Sequence, residues 1–287
     1  MCLTCGCSDG AESTITNLET GTAVAMGGGD REHHHTHTLP DGTVITHTHA
    51  HDNYGTHSHE ASQIHAQVHS TTISLEQDIL AKNNLIAAQN RGWFKGRNIL
   101  ALNLVSSPGA GKTTLLTRTI KDLKDKLPIY VIEGDQATAN DARKIQETGC
   151  QVVQINTGTG CHLEAAMVEK GCAELNPPLN SVVMIENVGN LVCPALFDLG
   201  ERAKVVILSV TEGEDKPIKY PHMFRASDIM ILTKIDLLPY VQFDVERCLE
   251  YARTVNPQIR IFQVSATTGV GLESWYEWLI SQFEGLR

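Results

Sequence analysis

From Ile73 onward the chain carries short apolar runs separated by segments of mixed polarity, most of them long enough to form helices. The runs fall at residues 98–106, 129–132, 152–155, 182–185, 205–210, 229–232 and 259–264. The first ends in a Gly/Pro/Ser turn, and residues 114–120 after it read as a helix. Strands alternating with helices predict an α/β fold built on a doubly wound, mostly parallel sheet. Ligands of such sheets gather at the carboxyl ends of the strands, so polar residues just past each run are the ones to examine. Upstream of Ile73 the pattern stops. Residues 1–72 are rich in His, Thr, Gly and Ser and poor in large apolar groups, which is too little to offset the entropy of ordering. The expected organisation is a disordered Cys/His-rich metal-binding arm at 1–72 and one P-loop domain at 73–287, about 215 residues and ample for a single core.

The turn after the first strand reads Ser106-Ser107-Pro108-Gly109-Ala110-Gly111-Lys112-Thr113, followed by Thr114. Strand, glycine-rich loop and helix are the setting in which backbone N–H groups from Gly109 to Thr114 wrap a β-phosphate. Lys112 would neutralise charge on the β- and γ-phosphates, and Thr113 would give an oxygen to Mg2+. Ser106 stands where the loop usually begins with glycine, which a position with negative φ allows. Two later strands end in Glu133-Gly134-Asp135-Gln136 and Glu186-Asn187-Val188-Gly189. The second resembles the Asp-x-x-Gly element that senses a γ-phosphate, with Glu186 as the carboxylate and Gly189 as the backbone donor. Asp135 and Glu186 join Lys112 as the expected catalytic residues, with Asp141 a weaker third acid. The competing reading is that these acids only cap the helices that follow. Thr233-Lys234-Ile235-Asp236 resembles the guanine-reading Asn-Lys-x-Asp element, with Lys234 alongside and Asp236 accepting from guanine N1–H and N2–H2, donors that adenine lacks. Ser265-Ala266-Thr267 resembles the companion loop, placing Ser265 and Ala266 at the base. The absence of an evident arginine finger predicts slow turnover.

Composition adds metal chemistry. Cys2, Cys5 and Cys7 put three thiols within six residues, close enough for the α-amino group to complete a thiophilic site. Eleven of the thirteen histidines lie between His33 and His69. They include His33, His34, His35 and His37, then His47, His49 and His51, then His57 and His59, with His65 and His69 beyond. Imidazole suits Ni, Zn, Cu and Co alike, and the interleaved Thr, Asp and Gly argue against an engineered tag. Inside the domain, Cys161-His162 is expected to open a helix, and Cys193 lies seven residues past Glu186. These three would need a fourth ligand from water or a second protomer. Cys150, Cys172 and Cys248 read as packing residues. The formal charge of −10, with dispersed Lys and Arg, disfavours nucleic acid. No apolar run approaches the ~20 residues of a membrane span, so a soluble, cytoplasmic protein with reduced thiols is expected.

Taken together, the Cys-x-x-Cys-Gly-Cys start, the histidine arm, the 107–113 loop, Glu-Gly-Asp-Gln, Cys-His and Glu-Asn-Val-Gly-Asn-Leu-Val-Cys-Pro resemble the HypB family of GTPases, which help deliver nickel to [NiFe] hydrogenase. The resemblance spans essentially the whole chain. It implies a GTP-hydrolysing metallochaperone with a nickel site at Cys2, Cys5 and Cys7 and a second zinc or nickel site at Cys161, His162 and Cys193. It also implies a nucleotide- or metal-dependent homodimer, with a HypA-type nickel accessory protein and the hydrogenase large-subunit precursor as partners. The Cys-Pro-His motif of urease-type nickel GTPases is absent, as is the extra lysine of partitioning ATPases. A nickel store whose nucleotide domain leaves the metal unaffected is the alternative from a different class.

Overall fold

A computed structural model describes residues 13–25, 33–38, 44–49, 61–136 and 140–286. The strands are β1 (Thr14–Asn17), β2 (Ala23–Ala25), β3 (His33–Thr38), β4 (Val44–His49), β5 (Leu100–Ser106), β6 (Ile129–Asp135), β7 (Val152–Asn156), β8 (Val182–Glu186), β9 (Ala203–Ser209), β10 (Ile229–Thr233) and β11 (Arg260–Gln263). The helices are α1 (Ala61–Gly96), α2 (Lys112–Leu123), α3 (Asn140–Gln146), α4 (Ala165–Leu175), α5 (Lys216–Lys219), α6 (Pro221–Ala226), α7 (Val245–Val255) and α8 (Leu272–Glu284), with 3-10 turns at Cys193–Ala195 and Ile235–Tyr240.

All seven expected strands form one sheet in the order β11-β10-β9-β5-β8-β6-β7, every pair parallel. This is the doubly wound sheet that the alternating pattern predicts. Strands β5 and β9 are buried at every residue, which explains why their sequences read as largely apolar runs, interrupted in β5 by Asn103 and in β9 by Lys204. The phosphate loop leaves the central strand β5, and the chain then crosses to β6 on one side and later to β9 on the other. The carboxyl end of β5 is therefore the switch point of the sheet. On one face α2 presents Leu115, Leu116, Thr119, Ile120 and Leu123 to the core. Trp275 of α8 closes over it, stacking on Trp278 at 5.4 Å and donating from its indole N–H to Thr119 Oγ1 at 3.2 Å. On the other face α4 and Phe94 of α1 cover Ile132, Ile155, Val183 and Ile185.

The structure departs from the expected arm at its two ends. Residues 14–25 form a hairpin that extends the sheet, β1 running antiparallel to β7 with Thr14 opposite Asn156 and Asn17 opposite Val153. Ile15 is buried against the same cluster as Ile155, Asn17 Nδ2 donates to Glu174 Oε1 at 3.0 Å, and Gln146 Nε2 donates to Leu18 O at 2.8 Å. An apolar residue and an open sheet edge thus recruit a segment whose overall composition is that of a disordered tail. At the other end, α1 begins at Ala61 and runs across the expected boundary at 72/73. Strands β3 and β4 pair as a separate hairpin, with His33 opposite His49 and His35 opposite His47 along the backbone. Cys2, Cys5, Cys7, His51, His57 and His59 lie outside the described residues.

Candidate nucleotide and metal site

The loop after β5 adopts the form its glycines permit: Gly109 and Gly111 hold φ of 75° and 96°, the left-handed region where a side chain is strained. Ser106 is absent from the left-handed residues, so the serine in place of glycine carries no backbone strain. Lys112 Nζ donates to Ser106 Oγ at 2.9 Å, which holds the ammonium over the loop. Thr113 Oγ1 donates to Glu186 Oε1 at 2.7 Å, joining the start of α2 to the end of β8.

Glu186 is not alone. Register places Glu133 of β6 directly beside it, and both carboxyls are almost fully buried. Burial, then repulsion from Glu186, Asp135 and Asp141, pushes Glu133 up to about 9. Glu186 is also raised by its burial, opposed by Lys112 and the Thr113 hydroxyl. Each carboxyl has one oxygen, Oε2, with no hydrogen-bond partner. Two adjacent buried carboxyls with orphaned oxygens and the Thr113 hydroxyl form an oxygen donor set suited to a hard divalent cation such as Mg2+. The expected acids thus converge, since Asp135 at the end of β6 and Asp141 in the first turn of α3 act on both buried carboxyls. Glu133 stands in the Glu-Gly-Asp-Gln motif but is not among the catalytic residues expected from the sequence. Its position one strand away from Glu186 in exact register is a property of sheet order that no local pattern carries.

The base-side elements sit at the ends of β10 and β11. Thr233, in the place of the usual asparagine, donates from Oγ1 to Ala110 O at 2.7 Å and to Leu208 O at 3.2 Å, so it ties this loop to the phosphate loop. Lys234, at φ 58°, donates from Nζ to Gly109 O at 2.7 Å. Asp236 opens the 3-10 turn that follows, and Ile235 N donates to Val264 O at 3.4 Å, drawing in the strand that leads to Ser265. Ser265 is buried, and Ala266 O accepts from Arg118 Nη1 of α2 at 2.9 Å. Gly189 lies against Pro108 so closely that a Cβ would come within 3.1 Å of its ring.

On the β7 side, Cys161, His162 and Cys193 offer ligand atoms that all lie within 4.8 Å of one another. Cys161 Sγ is 3.0 Å from Cys193 Sγ and 3.6 Å from His162 Nδ1. Cys161 and His162 do not open a helix as expected. They precede it in the loop from β7, with α4 starting at Ala165 after Glu164 at its N-cap. A loop fits the task better, because it can turn adjacent side chains to one point, whereas successive helix residues diverge. Cys193 reaches the same point from the 3-10 turn Cys193–Ala195, with Pro194 fixing its first step. The His162 ring lies on Phe197 at 3.9 Å, and its burial lowers the imidazole to about 4. It is therefore neutral near pH 7, the form that binds metals. Nε2 has no hydrogen-bond partner, and Glu164 Oε1 stands 3.8 Å away. Cys150, Cys172 and Cys248 are buried packing residues whose thiols are pushed up to about 12 by desolvation.

Fold and site together define a P-loop nucleotide-binding protein with a thiol–imidazole cluster at the same end of its sheet. The family model for the CobW/HypB/UreG nucleotide-binding domain matches residues 100–263. Hydrogenase maturation factor HypB of Escherichia coli strain K12 is 55% identical over 232 residues, 81% of this chain and 78% of that protein. The corresponding factor of Cupriavidus necator is 44% identical and aligns with 98% of this chain and 88% of its own length. Among solved structures, HypB from Archaeoglobus fulgidus superposes with a TM-score of 0.67 at 35% identity, covering 71% of this chain and 99% of that one. HypB from Helicobacter pylori in complex with nickel gives 0.67 at 36% identity, covering 71% and 96%. The chain belongs to the HypB family of hydrogenase maturation factors, whose nucleotide domain is of the P-loop GTPase class. No helix among the described residues is long and apolar enough to cross a membrane.

Proposed function

We propose that the protein is a GTP-hydrolysing nickel metallochaperone in which nucleotide state gates a nickel or zinc site at Cys161, His162 and Cys193. One observation carries the reading: Glu186, facing the phosphate loop, and Cys193, facing the metal cluster, are joined by a single short connection out of β8. Lys112 meets the β- and γ-phosphates, backbone N–H groups from Gly109 to Thr114 cradle them, and Gly189 donates to the γ-phosphate. Asp236, with Lys234, Ser265 and Ala266 around it, selects guanine. Thr113, Glu186 and Glu133 would hold Mg2+, which supplies neutralisation of phosphate charge. Asp135 and Glu186 orient the attacking water. The thiolates and the neutral imidazole of His162 take the cargo metal, with water, Glu164 or a second protomer as fourth donor. Nickel at Cys2, Cys5, Cys7 and the histidines between His33 and His59 is the reservoir. The HypA-type accessory protein and the hydrogenase large-subunit precursor are the recipients.

The test is nickel and zinc affinity of the full chain, measured with GDP and with a non-hydrolysable GTP analogue, beside Cys193→Ala. A nucleotide-dependent difference of about fivefold or more that vanishes in Cys193→Ala is the expected result. Equal affinities in the two nucleotide states would leave a metal store and a GTPase in one chain, and the gating reading would fail.

A further inference from the structure

Behind the two sites runs a buried polar chain. Asn187 directly follows Glu186 and is almost fully buried. Its Oδ1 accepts from Leu163 N at 3.1 Å and from Val188 N at 3.0 Å, and Leu163 directly follows Cys161-His162. Its Nδ2 donates to Asn103 Oδ1 at 3.2 Å, on the strand that feeds the phosphate loop. Asn103 Nδ2 in turn donates to Glu201 Oε1 at 3.0 Å, and Glu201 faces Lys204 at 3.8 Å. Lys204 Nζ then donates to Pro194 O at 2.8 Å and to Phe197 O at 3.3 Å. Pro194 follows Cys193, and Phe197 is the ring on which His162 rests.

The direction of this chain is fixed at its Leu163 end. The backbone N–H of Leu163 can only donate, so Asn187 must turn its oxygen there and its amide N–H groups to Asn103. Asn103 then accepts with its oxygen and turns its own N–H groups to Glu201. Neither amide can flip without losing hydrogen bonds on both sides, and each loss is buried. Members of such a network hold one another in place, and a shift at one is felt along the whole chain. Asn187 is its branch point: one arm reaches the Cys161-His162 loop in a single bond, and the other reaches the Cys193 turn through Asn103, Glu201 and Lys204.

We propose that Asn187 is the positioning residue that couples Glu186 to both halves of the metal cluster, so that a displacement at the end of β8 changes the spacing of Cys161, His162 and Cys193. The proposal rests on the reading that nucleotide gates this cluster. The Asn187 side chain is spent on Leu163, Val188 and Asn103, so it acts through these rather than as a ligand.

Cobalt(II) supplies the probe, since thiolate-to-cobalt charge transfer reports sulfur ligation and is blind to the histidine arm. The full chain carrying Cys2→Ser, Cys5→Ser and Cys7→Ser restricts the band to the internal thiols. In this parent, cobalt affinity and the band position are measured with GDP and with a non-hydrolysable GTP analogue. They are then measured in Asn187→Ala and in Asn187→Asp, which keeps the acceptor for Leu163 and loses the donor to Asn103. GDP affinity, a property of the 109–114 loop, confirms that each variant is folded. If Asn187→Ala fails that control, Asn187→Asp carries the test. The expected result is a parent affinity ratio of about fivefold or more, falling below about twofold in the variants, with the band no longer moving on nucleotide exchange. A variant that binds GDP as the parent does and keeps the parent's ratio and band shift overturns the proposal and leaves nucleotide gating intact. A parent ratio of one overturns both.

Discussion

Glu133→Gln should make the nucleotide-free protein more stable, and by an amount that grows with pH. Glu133 holds its proton to about 9, whereas a glutamate without such an environment releases it near 4.5. At any pH between those values the folded chain binds one more proton than the unfolded chain. Stability therefore falls as pH rises through this window. At pH 7 the gap from 4.5 is 2.5 units, and at ~1.36 kcal/mol per unit the uptake costs about 3 kcal/mol. At pH 5 it costs less than about 1 kcal/mol by the same arithmetic. Glutamine has nearly the same shape, needs no proton and can donate from its amide, so the variant avoids this term. Guanidinium unfolding of parent and variant at pH 5, 6, 7 and 8, without metal or nucleotide, should show midpoints that diverge as pH rises. The pH 7 difference corresponds to a melting shift of roughly 6–12 °C for a domain of this size. Mg2+ with a GTP analogue should stabilise the parent more than the variant, because glutamine offers no charge to the ion. A stability gap that stays flat with pH, or narrows as pH rises, would refute the placement of Glu133 as a buried, protonated partner of Glu186.

Other consequences are open to direct measurement. Lys112→Ala should abolish GTP hydrolysis in a phosphate-release assay while leaving cobalt ligation by Cys161 and Cys193 in place, since its ammonium lies on Ser106 and not at the cluster; residual turnover at the parent's rate would remove it from the phosphate site. Gly189→Ala would set a Cβ about 3.1–3.2 Å from Pro108 ring and backbone atoms. Overpacking of this kind costs ~1–3 kcal/mol, so calorimetric affinity for a GTP analogue should fall by roughly tenfold or more, and an unchanged affinity would show that the two loops are not in contact. Ile15→Ala should cost about 2 kcal/mol, confined to the added hairpin. Amide exchange should rise along Thr14–Asn17 and at the exposed edge of β7 while the strands around β5 stay protected, and unchanged protection would show that the hairpin does not depend on this side chain.

Much of this was legible in the chain because the parallel sheet writes its strands as near-continuous apolar runs. Each of the seven runs became a strand within a few residues, and the loop from Ser106 to Thr113 lies between β5 and α2 as its glycines demand. Cys161, His162 and Cys193 could be picked out because thiols beside expected nucleotide loops are few, although the start of α4 fell a few residues later than the pattern suggested. What the pattern hid was non-local. Glu133 becomes significant only because β8 inserts between β5 and β6 and brings Glu186 alongside it. Asn187 and Lys204 read as an ordinary polar pair of positions until the fold buries them in one network. The β1–β2 hairpin rests on a single well-buried isoleucine and on the open edge of β7, a partner more than a hundred residues away in sequence.

That hairpin also sets where the two ends of the arm begin. Thr14 pairs with Asn156 at the carboxyl end of β7, and Ala25 pairs with Thr14, so the chain enters and leaves the hairpin at one end of the sheet. The loop bearing Cys161 and His162 starts from the same Asn156. Cys7 stands seven residues before Thr14, a span of at most ~25 Å at full extension. Without the hairpin, the nearest buried residue along the chain among those described would be Asn83 of α1, 76 residues from Cys7. With it, Ile15 is buried eight residues from Cys7, and a tether this short corresponds to a local concentration on the order of millimolar. Two backbone ladders, carrying no ligand of their own, thereby shorten a tether that the covalent chain already provides.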